Sequence, residues 1–176
     1  MRSLRSAVLV TAVLWGPSCG SSGSPMGELG AACSADPSCR EGLRCQQGRC
    51  LGELAVVGDV IWLQSNPRRE ELTIGLFARD EATRFWATGV LDACAALLTQ
   101  VVPAPVAYPA GYRLEGAAPG EYEVIAHVPV VESPGKIAVG GAFVTVHIDG
   151  ATSDELGQPW PFVRVVILGI AERRTP

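Results

Sequence analysis

Six cysteines, two histidines and eighteen carboxylates are the groups of this chain whose chemistry needs testing first. Cys33, Cys39, Cys45 and Cys50 fall within 18 residues. Four thiolates are a zinc ligand set, but structural zinc sites use paired Cys-x2-Cys knuckles. The intervals here are five, five and four residues. Leu43 is the only sizeable apolar side chain between the first and last of these cysteines, so the segment has no core of its own. In an exported protein such a segment is held by disulfides. Four cysteines allow three pairings, and composition alone does not choose among them.

The other reactive groups are isolated. Cys94 lies in Val90-Leu-Asp-Ala-Cys94-Ala-Ala-Leu-Leu98, where a free thiol packs as a small hydrophobe. A nucleophilic thiolate needs a paired base and a positive setting, and neither stands nearby in sequence. His127 and His147 are the natural metal suspects. Ser133-Pro134-Gly135-Lys136 reads as a type II turn, which makes residues 121–148 a hairpin. A bulge at Gly140-Gly141 would put Tyr122 opposite Ile148, His127 opposite Phe143 and Glu123 opposite His147. The histidines are then four positions apart, roughly 13 Å at strand rise, too far to share one metal. Glu123–His147 is expected as a surface pair of small value. The acidic stretch 149–155 lacks the alternating oxygen ligands of a calcium loop and reads as a turn. Glu70-Glu71 and Asp80-Glu81 read as solvated faces. Trp160, between Pro159 and Pro161, is a candidate recognition anchor, with packing at a strand entrance as its commoner role.

The start of the chain bears on compartment. Arg2 and Arg5 precede a nine-residue apolar run, Ala7 to Trp15, followed by Gly16-Pro-Ser-Cys19-Gly20. A spanning helix needs about 20 apolar residues, so the run reads as a secretory h-region. A cysteine directly after an h-region and a small residue, here Ser18, resembles the bacterial lipoprotein signal. The resemblance implies cleavage before Cys19 and acylation there, and the Gly/Ser stretch beyond would be a flexible tether. The alternative is a plain secreted protein in which Cys19 forms a disulfide.

Cys39-Arg-Glu-Gly-Leu-Arg-Cys45-x4-Cys50 resembles the short dickkopf-like or EB-like cysteine-rich modules. Such modules imply a spacer or binding knob. As in other small knotted modules, the expected pairing is interleaved, 33–45 with 39–50.

The rest of the chain has sandwich character. Hydrophobic residues make up 48% and charged residues 18%, which excludes a disordered polyelectrolyte. The net charge is -4, and nothing supplies the basic face of a nucleic-acid binder. No phosphate-cradling loop or cofactor motif occurs. Strand-like runs occupy 55–64, 72–78, 99–102, 111–115, 121–131, 137–148 and 162–170. Tyr122, Val124, Ala126 and Val128 share one face, with Glu121, Glu123 and His127 on the other. Apolar residues at 90, 91, 94, 97 and 98 recur at helical spacing, so a short helix is expected within 80–100, with Asp80 at its start.

Gly116-Ala-Ala-Pro119-Gly120-Glu-Tyr122 resembles the Gly-x-x-Pro-Gly-x-Tyr signature of carboxypeptidase-regulatory-like, or transthyretin-like, sandwich domains. It implies a fold and an accessory or adhesive role, and no catalytic residue. Physically, Pro119-Gly120 sets a tight turn, while Tyr122 packs inward with its hydroxyl tying the loop.

The expected organisation is a signal peptide at 1–18, a tether at 19–30, a cysteine module at 31–52 and a mainly β sandwich at 53–174. That sandwich is immunoglobulin-like or transthyretin-like, with about seven strands and one inserted helix. The expected function is a non-catalytic structural or binding role in a bacterial cell envelope. Attachment is by lipid on Cys19, at the outer membrane, with an envelope protein or glycan as partner and no cofactor. The alternatives are a secreted or periplasmic location, a carbohydrate- or peptide-binding surface using Trp160, and an envelope enzyme using Cys94 or the acidic loops.

Overall fold

Runs of Val, Ile and aromatic residues between Gly and Pro turns fold into strands throughout the described residues of a computed structural model, which are 27–35, 38–62 and 70–174. The signal segment, Cys19 and most of the tether lie outside these residues. A small hairpin, β1 (Arg44–Gln46) and β2 (Arg49–Leu51), belongs to the cysteine module. The sandwich then runs β3 (Leu54–Trp62), β4 (Leu72–Ala78), helix α1 (Arg79–Thr88), β5 (Val90–Leu91), β6 (Leu98–Val102) and β7 (Ala110–Ala117). It finishes with β8 (Gly120–Pro129), β9 (Lys136–Val146), β10 (Thr152–Ser153), β11 (Val163–Ile167) and β12 (Gly169–Arg173).

Two sheets face each other. The larger has the order β5-β12-β9-β8-β4-β6, with β10 added to β9, and the smaller is β11-β3-β7. Both are antiparallel except where β11 runs parallel to β3 and β12 parallel to β5. The chain changes sheets between β11 and β12. There β11 passes so close to β9 that a Cβ at Gly140 would meet the Val166 carbonyl well inside contact distance. Gly58 stands in the same relation to the Val163 carbonyl. Both sites need glycine because the neighbour is backbone.

The main core lies between the sheets. It contains Val56 and Val60 of β3, Leu72, Ile74 and Leu76 of β4, Val124 and Val128 of β8, Val144 of β9, and Val163 and Val165 of β11. A second cluster lies on the opposite face of the larger sheet, where Ala82 and Phe85 of α1 cover Phe77, Ile125, Ile137 and Val139. The central strand β8 is therefore buried on both faces from Tyr122 to Val128. This corrects the expected solvent face of that strand: Glu123 and His127 point away from the main core but lie beneath other chain.

The helix is shifted from its expected place. Arg79–Thr88 forms it, with Asp80 and Glu81 in the first turn, where carboxylates complement the helix dipole. Gly89, in the left-handed region, ends it by donating its N–H to the Phe85 carbonyl at 2.7 Å. Val90 and Leu91 then form β5, and Asp92 caps a single 3-10 turn at Ala93–Ala95. The apolar residues that looked like a helical stripe belong to these separate pieces.

The β8–β9 hairpin also differs. The turn at Ser133–Lys136 forms, with Lys136 N–H on the Ser133 carbonyl at 2.9 Å. A second turn, Val130–Ser133, precedes it, and the ladder closes between Val130 and Lys136. The observed register lies four residues from the expected one, so Tyr122 faces Val144, Glu123 faces Phe143 and His127 faces Val139. No bulge at Gly140-Gly141 is needed.

Candidate functional site

The cysteine module is held as expected, with disulfides Cys33–Cys45 and Cys39–Cys50. Their loops overlap, so each closes chain that the other also restrains. Backbone bonds add to this: Gly30 donates to the Cys50 carbonyl, Cys50 to Ala31 and Cys33 to Gly48, at 2.8, 2.8 and 3.0 Å. The sulfurs of Cys33, Cys39 and Cys50 lie close enough together for a metal site, but each is consumed in a disulfide.

The module is docked against one end of the sandwich. Leu29 belongs to the main core, and Leu43 and Leu51 pack against it. Gly52 donates its N–H to the Gly116 carbonyl at 2.7 Å, and a Cβ at Gly52 would run into the Ala117 carbonyl. Between module and sandwich lies a cleft of about 900 Å³. Leu29, Leu43, Leu54, Pro119, Tyr122 and Ile148 give it apolar surface. Its rim is charged. Arg40 pairs with Glu28 at 2.9 Å and Arg44 with Glu53 at 3.1 Å. The cleft is thus a mixed surface, in which Glu28, Arg40, Glu41, Arg44 and Glu53 stand beside the apolar residues.

Tyr122 fixes one wall. Its ring packs inward, and its hydroxyl donates to the Ala118 carbonyl at 3.1 Å, closing the Pro119-Gly120 turn as the sequence suggested. Burial, with Glu28 adding to it, pushes the phenol above its ordinary range, so the hydroxyl stays protonated and keeps donating.

The other suspected groups are scattered. Cys94 is half-buried and disulfide-bonded. That corrects its reading as free core filler. His127 is 2% exposed in the middle of β8, and its Nδ1 has no hydrogen-bond partner. Burial, reinforced by the positive charge of Arg173, lowers it to about 4. His147 lies beyond β9 at the surface. The expected Glu123–His147 pair does not form, because the register shift separates them. Instead the His147 Nε2 meets the Ser153 hydroxyl at 2.9 Å across the turn. Sequence reading missed this pair, which sits only six residues apart. Nucleophilic serine chemistry also needs a group orienting the histidine, and among the described residues its ring bonds to no carboxylate.

Trp160 packs half-buried against the main core, and its carbonyl accepts from the Thr152 hydroxyl. This is the packing role at a strand entrance. The acidic stretch is a pair of turns in which Asp149 accepts from Ala151 and Asp154 from Leu156 and Gln158.

Another tryptophan carries more interest. Trp86, on α1, donates its indole N–H to Glu123 Oε1 at 2.6 Å. That carboxyl is 6% exposed, and burial pushes its pKa up, opposed by the indole bond and reinforced by Glu155. Beside it, Arg79 binds Glu121 at 2.6 Å and Glu155 at 3.5 Å, with its guanidinium 4.4 Å above the Phe143 ring. No helix among the described residues is long and apolar enough to cross a membrane. Compared with family models, curated proteins and solved structures, the chain matches none.

Proposed function

We propose that this protein is a non-catalytic binding module of the bacterial cell envelope, anchored by lipid on Cys19, with the junction cleft as its partner site. The observation that carries the binding role is the docked, doubly stapled module: two crosslinks and a backbone bond hold one wall of the cleft against the other. A preformed cleft loses little conformational entropy when it binds. The two disulfides also suit an oxidising compartment.

One observation favours a second reading. Cys94 is disulfide-bonded, as are the four module cysteines, which suits the alternative in which Cys19 also forms a disulfide. A sulfur in a disulfide carries no lipid, and the protein would then be secreted or periplasmic.

Fractionation of a bacterial host separates these readings. Lipid anchoring predicts that the wild type sediments with membranes while Cys19→Ser is released. A wild type already soluble in the extracytoplasmic fraction contradicts the anchor. For the cleft, a photo-crosslinking residue at Ile148, which is 88% exposed at the cleft edge, should give an adduct that Leu54→Arg abolishes. The same adduct from Leu168, at the opposite end of the sandwich, would contradict the cleft assignment.

A further inference from the structure

Trp86 is 48% exposed, yet it is held in one orientation from two sides. Its N–H is tied to a buried carboxylate, and its ring rests on Gly141 of β9, where a Cβ would come within 2.7 Å of Cζ2. Phe85, buried beneath the helix, lies against it with ring centroids 4.4 Å apart. An indole backed by glycine, phenylalanine and a carboxylate has little freedom to turn.

The neighbouring groups extend the surface in one direction. Gly141 and Phe143 occupy the same face of β9, two residues apart. Trp86 covers the first and Arg79 the second. Seven residues separate Arg79 from Trp86, which places them roughly 10 Å apart along the helix axis. Along this strip β9 has an open edge. Its pairing with β12 ends at Val139 and its pairing with β10 begins at Thr145. Glu121 and Glu155 are held beside the strip by Arg79.

We propose that this strip is a saccharide-binding site, with the Trp86 indole as its stacking platform and Arg79 and Glu155 as its hydrogen-bonding edge. A pyranose ring presents a face of C–H groups and a rim of hydroxyls. The fixed indole suits the first, and a carboxylate beside a guanidinium suits the second, accepting and donating respectively. A protein partner would need a much larger area than one tryptophan and one half-buried phenylalanine supply. This site is separate from the junction cleft. It deepens the binding reading by naming a ligand class, and it does not depend on how the protein is attached.

The test uses the purified mature protein with three uncharged probes: the tetrasaccharides of N-acetylglucosamine, of β-linked glucose and of α-linked glucose. The indole N–H signals of Trp62, Trp86 and Trp160 are followed by NMR during titration. The expected result is a saturable shift of Trp86 with at least one probe at millimolar concentration, with Trp160 unmoved. Trp86→Ala should weaken that binding at least tenfold. Because Trp86 also pins the helix, Glu155→Gln provides a second reading; it leaves the Trp86–Glu123 bond in place and should weaken binding severalfold. No saturable shift with any probe, or unchanged affinity in folded Trp86→Ala or in Glu155→Gln, overturns the assignment. Failure here leaves the fractionation and crosslinking results untouched, so the two readings fail separately.

Discussion

His127 sets a direct contest between burial and charge. A neutral imidazole tolerates the interior of the larger sheet, and an imidazolium does not. Its folded value is about 4 against an ordinary 6.5. Between those limits the unfolded chain takes up a proton that the folded chain refuses. Stability therefore falls as pH drops through this window, by about 3 kcal/mol in all. His127→Leu should remove that slope, measured by urea unfolding at several pH values; an unchanged slope would assign the acid sensitivity elsewhere. Glu123 works in the opposite sense. Its raised value means that the fold holds a proton the unfolded carboxyl has released, so its contribution falls as pH rises past the ordinary carboxyl range. Tyr122 carries a smaller effect. Tyr122→Phe loses the bond to the Ala118 carbonyl and should cost about 1 kcal/mol, visible in thermal unfolding. The Tyr122 contact was legible because a Pro-Gly turn and an inward tyrosine define each other locally. The environments of His127 and Glu123 were not. Alternation along a strand reports two faces, and only the tertiary fold decides whether the second meets water or a helix.

Among the elements, strands were read closely and the helix was not. Period-two runs placed β3, β4 and β6 to β9 within a few residues of where they form. Helical spacing at 90, 91, 94, 97 and 98 pointed past the true helix, because short apolar pieces of β5, the 3-10 turn and β6 fall at those intervals by coincidence. Gly89 was the overlooked stop signal. The β8–β9 register was missed for a related reason: one strong turn at Ser133–Lys136 hid the weaker one before it. Gly140 now has a defined purpose at element scale. Gly140→Ala presses a methyl group into the β11 backbone, which has no rotamer by which to yield, and should destabilise by about 1–3 kcal/mol or more. Gly135→Ala lacks such a neighbour and carries only the strain of its left-handed backbone. Chemical denaturation of both variants should show Gly140→Ala as clearly the worse; equal losses would contradict the close crossing of β11 over β9.

At the scale of the whole molecule, a stapled module leans on a sandwich that has its own core. Each staple closes a loop of about a dozen residues, and such crosslinks stabilise by about 3 kcal/mol apiece through the unfolded chain. Reduction should loosen the module while the sandwich keeps its strand content. The expected readout is faster amide exchange across 31–52, with β8 and β9 still protected; joint loss of protection would mean that the two parts fold as one. The interleaved pairing was anticipated from related small modules. The junction cleft was invisible in the sequence, since Glu28, Arg44, Tyr122 and Ile148 meet only through the docking of one part on another. The account of this protein as an anchored envelope module turns on a single sulfur. Intact mass of the mature protein, taken before and after alkylation without reductant, tests it most directly. The anchored module predicts a chain beginning at Cys19 with an acyl adduct and both module disulfides intact. An unacylated chain would contradict it.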